Sequence, residues 1–255
     1  MTLRTSKLIV KVNNSTLLNN ISVNFSAGKL TGIIGPNGAG KSTLLRTLAG
    51  LQTQQHGNIF LDDKPTHEIS KKTLAQTISY LPQSPECHWA LTVERVVSLG
   101  RFPYQTGRHL NQKDINAIKE ACYATDIQHL VERPIHQLSG GEKARVMLAR
   151  ALATQADILL ADEPIVSLDP RHQLEIMALL QTIARTGKTI VLVLHELHFV
   201  MRYCDELILL DKGIKIDEGD PPSVLTPQNL RSVYGIDSIS GQHQNKNWLL
   251  PWNPL

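Results

Sequence analysis

Apolar and polar positions alternate between residues 7 and 27, interrupted at Asn13-Asn14, so the chain is expected to open on an antiparallel hairpin or meander. Leu30 to Ile34 is a short apolar run, the pattern of a buried strand. From Lys41 to Gly50 the spacing of Leu44, Leu45 and Leu48 is helical. Strands are expected again at 57–61 and 78–81. After Gln83 the texture changes. Residues 92–133 are mostly helical in pattern, with breaks around Pro103 and Gly107, and a helix over 139–152 is entered through Gly140-Gly141. Strand, helix and strand follow at 158–161, 171–185 and 189–194, an alternation that predicts a parallel sheet with right-handed crossovers. A short strand pair around 207–217, a turn at Pro221-Pro222 and a small tail complete the pattern, without internal repeats.

Composition narrows this picture. The 255 residues, 42% hydrophobic and 19% charged, suit one large α/β domain with a buried core. A net charge of +3, scattered along the chain, gives no electrostatic footprint for nucleic acid, and no such partner is expected. Cys87, Cys122 and Cys204 have no CxxC spacing and are expected as buried or incidental thiols in a reducing compartment. The most apolar run, Ile190 to Leu194, is far short of the ~20 residues that cross a bilayer. Met1 to Lys7 lacks the apolar core of a signal peptide. A cytoplasmic protein is expected, and any membrane role would come through a partner.

The chemistry is concentrated in two places. Gly35-Pro36-Asn37-Gly38-Ala39-Gly40-Lys41-Ser42 matches GxxxxGK[ST] between an expected strand and an expected helix. Glycines let the backbone wrap close to a phosphate, and successive N–H groups with the helix N-terminus supply an anion site. Lys41 would reach the β- and γ-phosphates, and Ser42, with Thr43 beside it, would offer its hydroxyl to Mg²⁺. The second place is the apolar run Ile158 to Ala161, which ends in Asp162-Glu163. A carboxylate at the C-terminal end of such a strand faces the phosphate cleft, so Asp162 is a Mg²⁺ ligand candidate and Glu163 a general base for the attacking water.

Between these two lies Leu138-Ser139-Gly140-Gly141-Glu142, and with it the chain resembles the nucleotide-binding subunits of ABC transporters over nearly its whole length. The resemblance implies an α/β fold: a P-loop NTPase (RecA-like) parallel sheet core, an N-terminal antiparallel β subdomain and an inserted helical subdomain at about 84–152. The nucleotide-binding domain would span 1–222, followed by a short C-terminal tail at 223–255. Gln83 looks like the Q-loop glutamine that senses Mg²⁺ and the γ-phosphate. Ser167-Leu168-Asp169 looks like the D-loop and His195 like the switch histidine. In the family, two subunits sandwich two ATPs, so a second copy of this chain is an implied partner. Ser139, Gly140 and Gly141 would cap the γ-phosphate held by that copy. Glu163, His195 and Gln83 carry the implied catalysis, and Ser42, Gln83 and Asp162 the implied Mg²⁺ site. Two positions depart from the pattern. The family's adenine-stacking aromatic falls near Val12, with no aromatic residue before Phe25, and the stretch after Glu163 is Pro164-Ile165-Val166-Ser167-Leu168-Asp169, where Thr-Ser-Ala before Leu-Asp is commoner.

Within the family, Ser98-Leu99-Gly100-Arg101-Phe102-Pro103-Tyr104, Val224 to Leu230 and Val233-Tyr234-Gly235 are similar to importers of iron–siderophore, haem and cobalamin complexes. The implied activity is ATP hydrolysis that powers uptake of a metal chelate, iron–siderophore foremost, through a separate integral membrane permease. A periplasmic or lipoprotein substrate-binding protein would act indirectly, and the subunit would sit on the cytoplasmic face of the inner membrane. Haem or cobalamin import is the alternative. A soluble ATPase of translation or DNA repair fits less well, because only one phosphate loop and no sustained heptad or CxxC are present. Trp89 and Phe102 are candidates for the groove that receives a permease helix, with core packing an equal alternative. Trp248 and Trp252 carry no assigned role.

Overall fold

The computed structural model describes the chain except residues 14, 84–89, 106, 108 and 245. Two compact units divide it: residues 1–68 with 180–255, and residues 69–179.

In the first unit, strands numbered along the chain form two sheets. β1 (Leu3–Val12) pairs antiparallel with β2 (Ser15–Ile21) and with β5 (His56–Leu61), and the short β3 (Asn24–Phe25) and β6 (Lys64–Pro65) complete this sheet. Its inward positions Leu3, Leu8, Val10 and Leu18 are fully buried, as the alternation requires. The inward hydroxyl of Thr5 is satisfied on both sides: Oγ1 donates to Ile21 O at 3.0 Å and accepts from Val23 N–H at 3.1 Å.

The second sheet of this unit runs β11-β10-β4-β9, with β4 (Leu30–Ile34), β9 (Thr189–Val193), β10 (Glu206–Asp211) and β11 (Ile214–Gly219). Every residue of β4 and β9 is buried, which explains why these strands are nearly continuous apolar runs, broken by Thr31 and Thr189, rather than alternating. Both neighbours of β4 run parallel to it, with Ile33 opposite Val193 and Ile34 opposite Leu209. This register sets the C-terminal ends of β4 and β9 side by side. Helix α1 (Lys41–Leu48) leaves the loop after β4, and α7 (Leu197–Tyr203) follows β9.

The tail is more structured than its sequence pattern implies. β12 (Ile236–His243) and β13 (Lys246–Pro254) form an antiparallel hairpin, and α7 packs against β13. Gly241 stands opposite Trp248, where a Cβ would come within 2.5 Å of the indole, so the ring lies over the glycine. This gives Trp248 a packing role, while Trp252 is exposed.

In the second unit, α2 (Lys71–Thr77) leads into β7 (Ile78–Leu81), which pairs parallel with β8 (Ile158–Asp162), Leu81 opposite Ala161. α3 (Val93–Ser98) and α4 (Gln112–Ala124) pack on α5 (Gly140–Ala153), and α6 (Pro170–Arg185) begins here. The link at 99–104 is a 3-10 segment stitched to its surroundings. Arg101 is buried: its Nε donates to Asp114 Oδ1 at 2.9 Å and its Nη1 to Ala153 O at 2.9 Å. Tyr104 lies under the guanidinium, 4.0 Å from ring centroid to Cζ, and its hydroxyl donates to Gln76 O. Among the described residues, no helix is long and apolar enough to cross a membrane.

Candidate functional site

The loop from Gly35 to Gly40 is shaped by close approaches. A Cβ at Gly35 (φ 149°) would lie 2.1 Å from Leu210 O, and one at Gly40 (φ 98°) 2.8 Å from Leu17 O. Only glycine fits at either place, so β2 and β10 press the backbone into its curve. The turn between β10 and β11 holds the far side, where Gly213 N–H donates to Ala39 O at 3.1 Å. Asn37 and Gly38 form the exposed rim, and space in front of Gly38 is open. Helix α1 has neither a side-chain N-cap nor an acid in its first turn. Its first N–H groups and positive dipole end are thus left to an anion. Lys41 is buried and folds back along the loop, its Nζ donating to Gly35 O at 2.8 Å and Pro36 O at 2.9 Å. Ser42 and Thr43 sit half-buried in the first turn. His195 is exposed just past β9, where Leu194 N–H still bonds Ile33 O at 3.3 Å.

In the second unit the β7–β8 register brings two further residues together. Asp162, the last residue of β8, is buried at 1% exposure. Glu163 turns the chain sharply with φ 52°, a left-handed conformation unusual for this residue type and common at functional turns. Gln83, two residues past the end of β7, donates its Nε2 to Glu163 Oε2 at 2.6 Å. A cleft of about 190 Å³ is lined by Gln83, Glu163, Gly140 and Ser167.

Ser139 and Glu142 form a capping box on α5. Ser139 N–H and Oγ both donate to Glu142 Oε2 at 2.8 Å, and Glu142 N–H donates to Ser139 Oγ at 3.3 Å. The backbone N–H and then the hydroxyl of Ser139 hold the Glu142 carboxyl below the usual carboxylate range. Gly140 is exposed, with open space where a Cβ would stand. Asp169 turns its carboxylate onto its own helix: Oδ1 accepts from His172 N–H at 3.0 Å and Oδ2 meets His172 Nδ1 at 2.7 Å. The same contacts, backbone first, lower the Asp169 carboxyl from its ordinary value.

Ser42 in the first unit offers a hydroxyl, and Asp162 and Gln83 in the second a carboxylate and an amide oxygen, each a hard-oxygen donor of the kind Mg²⁺ takes. The Gln83 nitrogen is committed to Glu163, which leaves its oxygen for such a role. Val12 ends β1 as an exposed aliphatic side chain, so an adenine ring would meet no aromatic there. Phe102 is 72% exposed, which removes the core-packing alternative for that residue. Trp89 lies outside the described residues. Sequence reasoning passed over Arg145, His172 and Gln173, although a Ser/Asp cap followed three residues later by a polar side chain was a signal available in Asp169-Pro170-Arg171-His172.

The ABC transporter family model matches residues 18–166. The iron(3+)-hydroxamate import ATP-binding protein FhuC of Bacillus subtilis (strain 168) is 40% identical over 238 residues, covering 92% of this chain and 88% of its own. The hemin import ATP-binding protein HmuV of Pseudomonas aeruginosa is 37% identical over 249 residues, 96% of each chain. Among solved structures, the dimeric post-hydrolysis state of the ATP-binding cassette MJ0796 bound to ADP and Pi has a TM-score of 0.77 at 27% identity, covering 86% of this chain and 98% of that one.

Proposed function

Because the chain belongs to the ABC transporter family and is an ATPase of its ATP-binding subunits, we propose that it powers uptake of a metal chelate, iron–hydroxamate foremost, through a separate integral membrane permease. The observation that carries the cargo class is the identity to the iron(3+)-hydroxamate import protein over nearly the full length of both chains. The subunit then sits on the cytoplasmic face of the membrane, and a substrate-binding protein delivers the chelate to the permease from the other side. The likeness to the hemin import protein supports haem as the second cargo.

ATP binds with its phosphates on the N–H groups of residues 38–43, and Lys41 exchanges its carbonyl partners for the β- and γ-phosphate oxygens. Ser42, Asp162 and Gln83 would each offer an oxygen to Mg²⁺, which would supply charge neutralisation to the phosphates. Glu163 accepts the proton of the attacking water, with Gln83 holding its carboxylate in place in the free subunit. His195 polarises the γ-phosphate side of the reaction. A second copy closes over the nucleotide, and its Ser139, Gly140 and Gly141 present a hydroxyl and helix N-terminal N–H groups to the γ-phosphate. Dimeric cassette structures support this partner. Helices α3, α4 and α5 belong to the helical subdomain, and exposed Phe102 belongs to the surface that meets the permease.

Uptake of labelled chelates in a strain lacking the subunit tests the proposal. Iron–hydroxamate uptake should be lost and should return with the wild-type chain but not with Lys41→Ala. Loss of haem uptake alone would move the cargo to haem, and unchanged uptake of every metal chelate would overturn the proposal.

A further inference from the structure

The loop between Glu163 and Asp169 is held from one side by the first turn of α6. Gln173 Nε2 donates to Ile165 O at 3.1 Å, and His172 meets both oxygens of Asp169. From the other side it rests on the start of α5, where Ser167 O lies 3.4 Å and Leu168 Cδ2 3.8 Å from the place a Cβ of Gly141 would take. The D-loop residues and the Ser139–Gly141 segment are thus neighbours within one subunit.

His172 connects the two. Its Nε2 is 3.0 Å from Arg145 Nη1, and Arg145 is a buried residue of α5, the helix that Ser139 caps. A guanidinium has only donors, so His172 Nε2 accepts from Arg145. The other ring nitrogen, Nδ1, faces Asp169 Oδ2 at 2.7 Å. The same Nη1 of Arg145 lies 3.5 Å from Asp126 Oδ2 and donates to the Asp126 backbone carbonyl at 3.4 Å. Asp126, Arg145, His172 and Asp169 therefore form one continuous polar chain. It runs from the segment after α4, through the buried face of α5, to the D-loop.

We propose that His172 is a positioning residue that locks the D-loop at Asp169 to the Ser139-capped helix through Arg145, so that both segments meet the partner subunit's nucleotide as one rigid unit. The proposal rests on the functional reading above, in which Ser139 and the D-loop act across the dimer. The contribution of His172 is the fixed distance between these two segments.

The test is a double-mutant cycle on the full-length chain, measured as steady-state ATP hydrolysis. His172→Ala should lower kcat about tenfold with little change in KM for ATP, since the phosphate loop is untouched. Asp169→Ala should lower kcat similarly, and the double variant should be no slower than Asp169→Ala alone. His172→Asn, whose amide still donates toward Asp169, should recover part of the loss, and it also serves if His172→Ala is poorly folded. Multiplicative losses in the cycle, or equal activity of the Ala and Asn variants, would overturn the role of His172 while leaving the ATPase reading in place. Full kcat in Asp169→Ala would overturn the role of His172 together with the D-loop reading on which it rests.

Discussion

Asp114→Ala should be among the most destabilising single substitutions in this chain. Asp114 is buried in the first turn of α4, where Oδ1 accepts from Arg101 Nε at 2.9 Å and Oδ2 accepts from Asn111 N–H at 3.1 Å. Truncation leaves the Arg101 guanidinium, whose side chain is 6% exposed, without its carboxylate. Removing one member of a buried ion pair costs about 3–5 kcal/mol, because the remaining charge is both desolvated and uncompensated. Loss of half the α4 capping box adds about 1 kcal/mol. The carbonyls of Ala153 and Thr154 and the Tyr104 ring still cradle the guanidinium, which puts the expected total near the lower part of that sum, about 4 kcal/mol. For a chain of this size that lowers the melting temperature by about 8–16 °C. Circular-dichroism melting and urea unfolding of the purified protein would measure it. A companion variant, Arg101→Met with Asp114→Leu, should regain most of the loss because no charge is then buried. A loss below about 1 kcal/mol, or a double variant no better than Asp114→Ala, would refute the claim that this pair anchors 99–104 to α4 and α5.

Three further outcomes are expected. Glu163→Gln should bind ATP and dimerise but hydrolyse it about 10²–10⁴-fold more slowly, the usual worth of a general base, and near-wild-type turnover would remove Glu163 from that role. Lys41→Ala should lose nucleotide affinity in fluorescent-ATP titration, and retained affinity would contradict the phosphate loop assignment. Burial, and secondarily the Glu94 carboxylate, push the Cys122 thiol up to about 11. A raised value keeps the thiol protonated at pH 8, with roughly one thiolate in a thousand, so iodoacetamide should label Cys122 slowly in the folded protein and rapidly in urea. Equal rates in both states would contradict the buried placement.

The phosphate loop, the acid pair and the strand–helix alternation were legible in the sequence because their chemistry needs residues adjacent along the chain. β4, β8 and β9 are mostly apolar, broken by Thr31, Asp162 and Thr189, since both faces are covered, and that signal survives without any structure. Helix α2 escaped notice for the opposite reason: of Lys71–Thr77 only Thr77 is buried, so no apolar stripe marks it. The β12–β13 hairpin carries Gly241, Asn247, Pro251 and Pro254, whose types argue against strand, and its stability depends on α7, far away in sequence. Ser98 to Tyr104 was legible only as a resemblance. Its contacts assign it an architectural job, with Arg101 and Tyr104 turned inward and Phe102 outward. The position of Asp169 was legible, but not the direction of its carboxylate. That direction is decided by a histidine three residues on and an arginine on another helix.

This ATPase should work as one half of the engine of a membrane importer. Tagged Glu163→Gln, held in its ATP-bound form, should be captured from detergent-solubilised membranes and its partners identified by mass spectrometry. Recovery of a polytopic permease in ATP-dependent, stoichiometric amount is the predicted result. Recovery of soluble ribosomal or DNA-repair proteins alone would leave the hydrolytic chemistry standing and contradict the transport role.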